Sequence, residues 1–240
     1  ASNGLGRDTS DTVVLHVIKE PSPPPFVLLA VHLFLEGAMA TDSMRTDLCD
    51  HGLLPHAQPF CAMGYTDAEG DSLDAAPPAA VDWVLVELRG GTADSTVRAR
   101  HAGLVMRNGA VTEIDGISPL RFEGLTSGNY YIVVRHRNHL PSMSAVPIAM
   151  DSAAVTYDFR SAASQSYGGS AVSLTCGKFA MIGGSVDRNR GIGATDLARV
   201  RQAMPSGPAY LDADCNMDGT VTASDLSLTR GNIGRVAGIP

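Results

Sequence analysis

Between residues 214 and 225, oxygen-bearing side chains recur at a spacing that suits one hard cation. Asp214, Asn216, Asp218, Thr222 and Asp225 fall at positions 1, 3, 5, 9 and 12 of a twelve-residue loop. Gly219 stands at position 6, where the chain must turn sharply, and Thr220 at position 7 offers its backbone carbonyl. Calcium takes its ligands as oxygens at this spacing, with a glycine for the turn. Thr222 would act directly or through a water. Val221 at position 8 is the apolar residue expected to pair with its counterpart in a neighbouring loop. Asn, Asp and Gly also make plain solvated turns, and the nearly complete ligand spacing is what favours the ion.

The loop closes on Asp225 where an EF-hand loop carries Glu, and no helical pattern precedes it. Both features resemble the type I dockerin repeat, a calcium loop followed by a single helix. The resemblance covers about the last sixty residues and implies a second loop upstream, found at residues 185–196. Ser185, Asp187, Asn189, the Gly191 carbonyl and Asp196 occupy its positions 1, 3, 5, 7 and 12, with Ile192 at position 8. Ser185 stands where the family has Asp, which weakens binding. Arg190 replaces the turn glycine and is strained if its φ is positive. Leu197, Val200 and Met204 after the first loop, and Leu226 and Ile233 after the second, fit short packed helices. In the family the residues facing a cohesin-type partner sit at loop positions 10 and 11, here Ala194, Thr195, Ala223 and Ser224. Alanine at both position-10 sites departs from the usual hydroxyl pair.

Upstream, the pattern is that of strands. Residues 26–35 form an apolar run too short to span a bilayer as a helix, and residues 36–80 make a long connection with a short helical signal near 43–49. From residue 81 the chain reads as mainly β. Strands are expected at 81–89, 97–106, 110–114, 119–122, 130–136, 145–150 and 154–159, with Asn108-Gly109 as a tight hairpin turn. Short strands at this turn spacing suggest a β-sandwich. The run Phe122-Glu123-Gly124-Leu125-Thr126-Ser127-Gly128-Asn129-Tyr130 resembles the "GL-x-x-G-x-Y" hairpin of prealbumin-like and collagen-adhesin B-type domains, which are extracellular Greek-key sandwiches. The whole arrangement over residues 30–240 is similar to exported surface proteins of Bacteroidetes-type bacteria. The expected organisation is an N-terminal tail and linker (1–25), a Greek-key β-sandwich (26–178) and a small α-helical dockerin-like module (179–240).

With 240 residues the chain can bury a sizeable core. A net charge of −7, with no Lys/Arg cluster, argues against nucleic acid. The chain opens on Ala1-Ser2, which reads as a processed, exported protein. Cys49, Cys61, Cys176 and Cys215 include no CxxC pair, so zinc is not expected. For an extracellular protein the expected bridges are Cys49–Cys61, stapling the long connection, and Cys176–Cys215, stapling the calcium module. In a cytosolic protein all four would be buried thiols. Residues 12–18 form a β-branched run ending at a stiff proline-rich spacer, Pro21 to Pro25. Val13, Leu15 and Val17 lie on one face and Val14 and Ile18 on the other, so the strand belongs in a covered groove.

No catalytic residues are assigned. Arg135, His136, Arg137, Asn138 and His139 could form a catalytic or anion-binding cluster. On an alternating strand, however, Arg135 and Arg137 would share a face and pair with Asp82, Glu87 or Arg89. Asp82 and Glu87 point to opposite faces, which excludes an acid pair. No GxSxG or HExxH frames a nucleophile or a metal. Thr12, Ser43, Ser72, Ser95 and Ser152 each follow Asp and precede a hydrophobic residue or Thr, matching the O-glycosylation site of Bacteroidetes-type bacteria. The reading is an extracellular, non-enzymatic structural subunit that polymerises by donating its N-terminal strand, with calcium as cofactor. The alternatives are a dockerin binding a cohesin-like partner, and a carbohydrate-binding adhesin domain. The last predicts exposed aromatics, yet aromatics make up 5% of the chain and most lie in strand patterns.

Overall fold

The computed structural model describes residues 1, 24–68 and 72–240. Thr12 and the assembly strand with Val13, Val14, Leu15, Val17 and Ile18 lie outside the described residues. The chain is mainly antiparallel β with few helices, as expected. Its strands are β1 (Phe26–His32), β2 (Ala80–Arg89), β3 (Val97–Met106), β4 (Ala110–Thr112), β5 (Leu120–Glu123), β6 (Gly128–His136), β7 (His139–Met143), β8 (Ile148–Met150), β9 (Val155–Asp158), β10 (Val172–Ser173) and β11 (Phe179–Ala180). The helices are α1 (Asp47–Asp50), α2 (Ala194–Ala203) and α3 (Ala223–Gly231).

Hydrogen bonding runs β5-β1-β4-β3-β2-β6-β7, with β9 beside β1 and β8 beside β6. Strand β4 pairs with both β1 and β3, so it joins them within one sheet. Val27, Leu29 and Val31 point into that core from β1, following the two-residue period of a strand. The same strand pairs antiparallel with β5 and parallel with β9. The hairpin at Asn108-Gly109 forms as expected. Gly109 has φ +87, and a Cβ there would press on the Leu33 carbonyl, so glycine is required on both counts.

All ten residues of β2 are buried, because the long connection and the C-terminal module cover the face turned away from the core. Leu48, Leu54, Phe60 and Leu73 of the connection join the main core, and the Trp83 indole donates to the Pro55 carbonyl at 2.8 Å. Apolar packing therefore holds this segment. No disulfide does, and both expected bridges are corrected: all four cysteines are free thiols. The Cys49 thiol faces the Pro77 carbonyl, and Gln58 Nε2 lies 2.9 Å from Cys61 Sγ. Cys176 is exposed in the β10–β11 turn, whereas Cys215 is buried beside the Thr229 hydroxyl. Phe179 and Ala180 pair with Ser173 and Val172 across the expected boundary at residue 179.

Candidate metal centre

The second loop folds around its own carboxylates. Asp214 accepts the N–H groups of Asp218 (3.2 Å) and Gly219 (3.0 Å). Asp218 accepts from the Thr220 N–H and hydroxyl at 2.9 and 2.7 Å. Asp225 joins the two ends of the loop, taking the Asn216 N–H on one oxygen (3.0 Å) and the Thr222 N–H on the other (2.8 Å). These bonds turn the loop inward and place Asp214, Asn216, Asp218 and Asp225 in one ring of contacts. The Thr222 hydroxyl accepts from the Ser224 N–H as the N-cap of α3.

The first loop repeats the design. Asp196 takes the N–H groups of Val186 (2.7 Å) and Asp187 (3.0 Å) on one oxygen and that of Gly193 (2.8 Å) on the other. Asn189 N donates to Asp187 (3.1 Å), and Gly191 N to Asn189 (3.0 Å). The backbone matches as well. Positions 4 and 6 are left-handed in both loops, with φ of 61 and 71 at Arg188 and Arg190, and 58 and 90 at Met217 and Gly219. Arg190 thus carries the strain its sequence position implied. Its guanidinium reaches Asp94 on the β domain and the Pro240 carbonyl (2.9 Å). Ser185 is fully buried, and its hydroxyl has no hydrogen-bond partner among the described residues.

The loops do not pair through their position-8 residues. Ile192 exchanges backbone hydrogen bonds with Gly234 and Arg235 (both 2.9 Å), and Val221 bridges to Ser206. Each loop therefore pairs with the segment that follows the other loop's helix. Val186, Val200, Ala213, Cys215 and Val221 form the module's core. Ile233, expected in that core, lies beyond α3 and is 49% exposed; Leu228 packs there instead.

The donor set fits a hard cation. Burial pushes the Asp214 carboxyl up to about 7 against the pull of Arg137 and the Gly219 N–H, with Asp225 and Asp218 adding to the rise. A buried carboxylate beside two others is the group that a bound cation would relieve. Among the described residues no group of three or more His, Cys, Asp or Glu side chains could hold a metal ion. Asp214, Asn216, Asp218, Asp225 and the Thr220 carbonyl are the mixed oxygen set that would hold a calcium ion.

The module sits on a buried polar seat. Arg137 Nε donates to Asp82 at 2.9 Å, its Nη1 to the Leu211 carbonyl, and its guanidinium lies 4.3 Å over the Tyr210 ring. The Tyr210 hydroxyl completes the group, donating to Asp82 at 2.7 Å. Burial opposes ionisation of Asp82, but the charge of Arg137 and the bonds from His136 and Tyr210 hold it far below the usual carboxylate range. His136 and His139 share their Nδ1 atoms at 3.0 Å, and burial lowers both pKa values. The cavity beside them, lined also by Phe60, Met63, Tyr65 and Pro141, measures about 20 Å3, room for one water. From the other side Arg45 donates to the Asn216 carbonyl at 2.5 Å. Gly37 lies so close to the Cys215 carbonyl that a Cβ would overlap it.

The expected cross-strand pairing is present but divided. Arg135 goes to Glu87 (2.9 Å), whereas Arg137 has left the strand for the β6–β7 turn and goes to Asp82. Glu87 also takes Arg89 (2.5 Å) and Arg100 (2.9 Å). Burial would raise the Glu87 carboxyl, but Arg135, Arg100 and Arg89 outweigh it and hold it at about 2. A depressed carboxyl contributes stability that is complete above its unfolded pKa, near 4.5, and is lost as pH falls toward 2. That difference is worth about 3 kcal/mol. Glu87→Gln is expected to flatten the loss of stability between pH 5 and 2, as urea unfolding across that range would read.

Of the glycosylation candidates, Ser72, Ser95 and Ser152 are exposed and Ser43 is half-buried. Ala194, Thr195, Ala223 and Ser224 are exposed at the starts of α2 and α3. Among the described residues no helix is long and apolar enough to cross a membrane.

No family model matches the chain, and no curated protein does. Among solved structures it is similar to a chain of an N-terminal interface mutant of a type II cohesin–X–dockerin complex from Acetivibrio cellulolyticus. That match has 13% identity and a TM-score of 0.39, and it covers 64% of this chain and 82% of that one. A C-terminal interface mutant of the type II complex from the same organism matches at 14% identity with a TM-score of 0.41, covering 71% and 94%. The fold described above rests on the chain's own strands and loops.

Proposed function

We propose that this chain is an extracellular, non-enzymatic structural subunit that holds calcium in its second loop and joins copies head to tail by strand donation. The observation that carries the assembly is an open edge. Residues 97–103 of β3 hydrogen bond to β2 on one side, and β4 covers the other side only at Leu104 and Val105. Among the described residues, nothing else pairs there. A bare strand edge is a template for an added strand, and residues 12–18 have the same length and apolar residues on both faces. A head-to-tail contact that does not close on itself propagates as a fibre.

Under the electron microscope the full chain is expected to form filaments, and deleting residues 1–20 is expected to leave a folded, soluble chain that forms none. A peptide of residues 11–20 added in trans should then raise the melting temperature without restoring fibres. Filaments of unchanged length from the truncated chain would sink the strand-donation reading. The second reading, a dockerin-type module, is favoured by the exposure of Ala194, Thr195, Ala223 and Ser224. It predicts a monomer that binds a cohesin-like partner through those positions.

A further inference from the structure

We infer that Asn138, in the β6–β7 turn of the β domain, is a positioning residue for both metal loops. The inference rests on the calcium reading above and extends the metal site into the sheet.

Asn138 is fully buried, and each of its polar groups is used. Its backbone carbonyl accepts the N–H groups of Gly184 (2.9 Å) and Ser185 (3.0 Å), where the first loop begins. Its side-chain Nδ2 donates to the carbonyls of Asp214 (2.7 Å) and Asp212 (3.1 Å), where the second loop begins. The position-1 residues of both loops are thus bonded to one residue that offers neither loop a ligand. His139 Nδ1 lies 2.9 Å from Asn138 Oδ1 and fixes which way the amide points. That leaves Nδ2 aimed at the carbonyls. Arg137 beside it takes the Leu211 carbonyl, so the turn holds the strand of chain leading into the second loop at two points.

Position 1 sets the direction in which the rest of a twelve-residue loop winds. Asp214 presents its carboxylate to the Asp218 and Gly219 N–H groups only while its own backbone is held. Residues that orient ligands without touching the ion commonly change metal affinity by 10–100-fold when removed. Asn138 fits that description for the second loop through its side chain; it holds the first loop through its backbone carbonyl, which Asn138→Ala keeps.

The test is a calcium titration by calorimetry on the full chain, its Asn138→Ala variant and a Val27→Ala control. Val27 is buried in β1, away from the turn. Asn138→Ala is expected to weaken calcium binding about tenfold or more, with the control unchanged. An affinity within twofold of the unaltered chain overturns the inference, and so does an equal loss in the control, which would report only general destabilisation. If the unaltered chain takes up no calcium, the reading beneath the inference fails. Should Asn138→Ala not fold, the Asn138 side-chain amide resonance of the unaltered chain decides. It is expected to shift with the midpoint of calcium uptake, and an unmoved resonance overturns the inference.

Discussion

Arg137→Ala is expected to lower the unfolding free energy by about 3–5 kcal/mol, measured by denaturant titration at neutral pH. Arg137 and Asp82 are both fully buried, and the substitution leaves a carboxylate in the interior with no opposite charge. Tyr210 would still donate to Asp82, but a neutral donor replaces little of what a guanidinium supplied. The Leu211 carbonyl and one side of the Tyr210 ring lose their partner at the same time. Because the cost is that of an orphaned charge, adding Asp82→Asn should return part of it. A double variant that merely sums the two single losses would show that the pair is not coupled. A single loss below about 1 kcal/mol would mean that water reaches the site.

The second large effect concerns the ion. At a thousandfold excess over its Kd, calcium is expected to stabilise the chain by about 4 kcal/mol, and chelation should remove that stabilisation. Asp214→Ala together with Asp218→Ala should abolish uptake at the second loop. It should also remove the second loop's share of the chelator's effect on the melting temperature. The module would not loosen alone, because Arg45 and Asn138 hold the loop's backbone from the β domain. Full calcium uptake by the double variant in calorimetry would show that the ligands are assigned wrongly.

What the sequence made legible is what depends on near neighbours. The second loop could be read because ligand type, spacing and Gly219 all fall within twelve residues. Its counterpart could be read as well, down to the cost at Arg190, since positive φ there follows from the turn itself. Strand β3 coincides with its expected span because β-branched and apolar residues mark it locally. Strand β7 was missed. It contains Pro141, which cannot donate to a ladder, and Ser142, so neither alternation nor propensity marks it. The cysteine pairing failed for another reason: even number and compartment say nothing about where a thiol points, and Cys215 points into its own module. Asn138 read as part of a charged strand end. The carbonyls to which its side chain donates are more than seventy residues away, and a turn residue's amide gives no pattern to find.

The parallel pairing of β1 with β9 bears on the order in which the molecule can be made. Residues 29–32 pair with residues 155–158 at one edge, and at the other residues 31–32 pair with 110–111 and residues 26–29 with 120–123. A strand with partners so far along the chain brings a large loop-closure cost before any of its pairs forms. The pairing of the first described strand along that edge is therefore completed only once residue 158 is available, and until then the edge is open to any chain nearby.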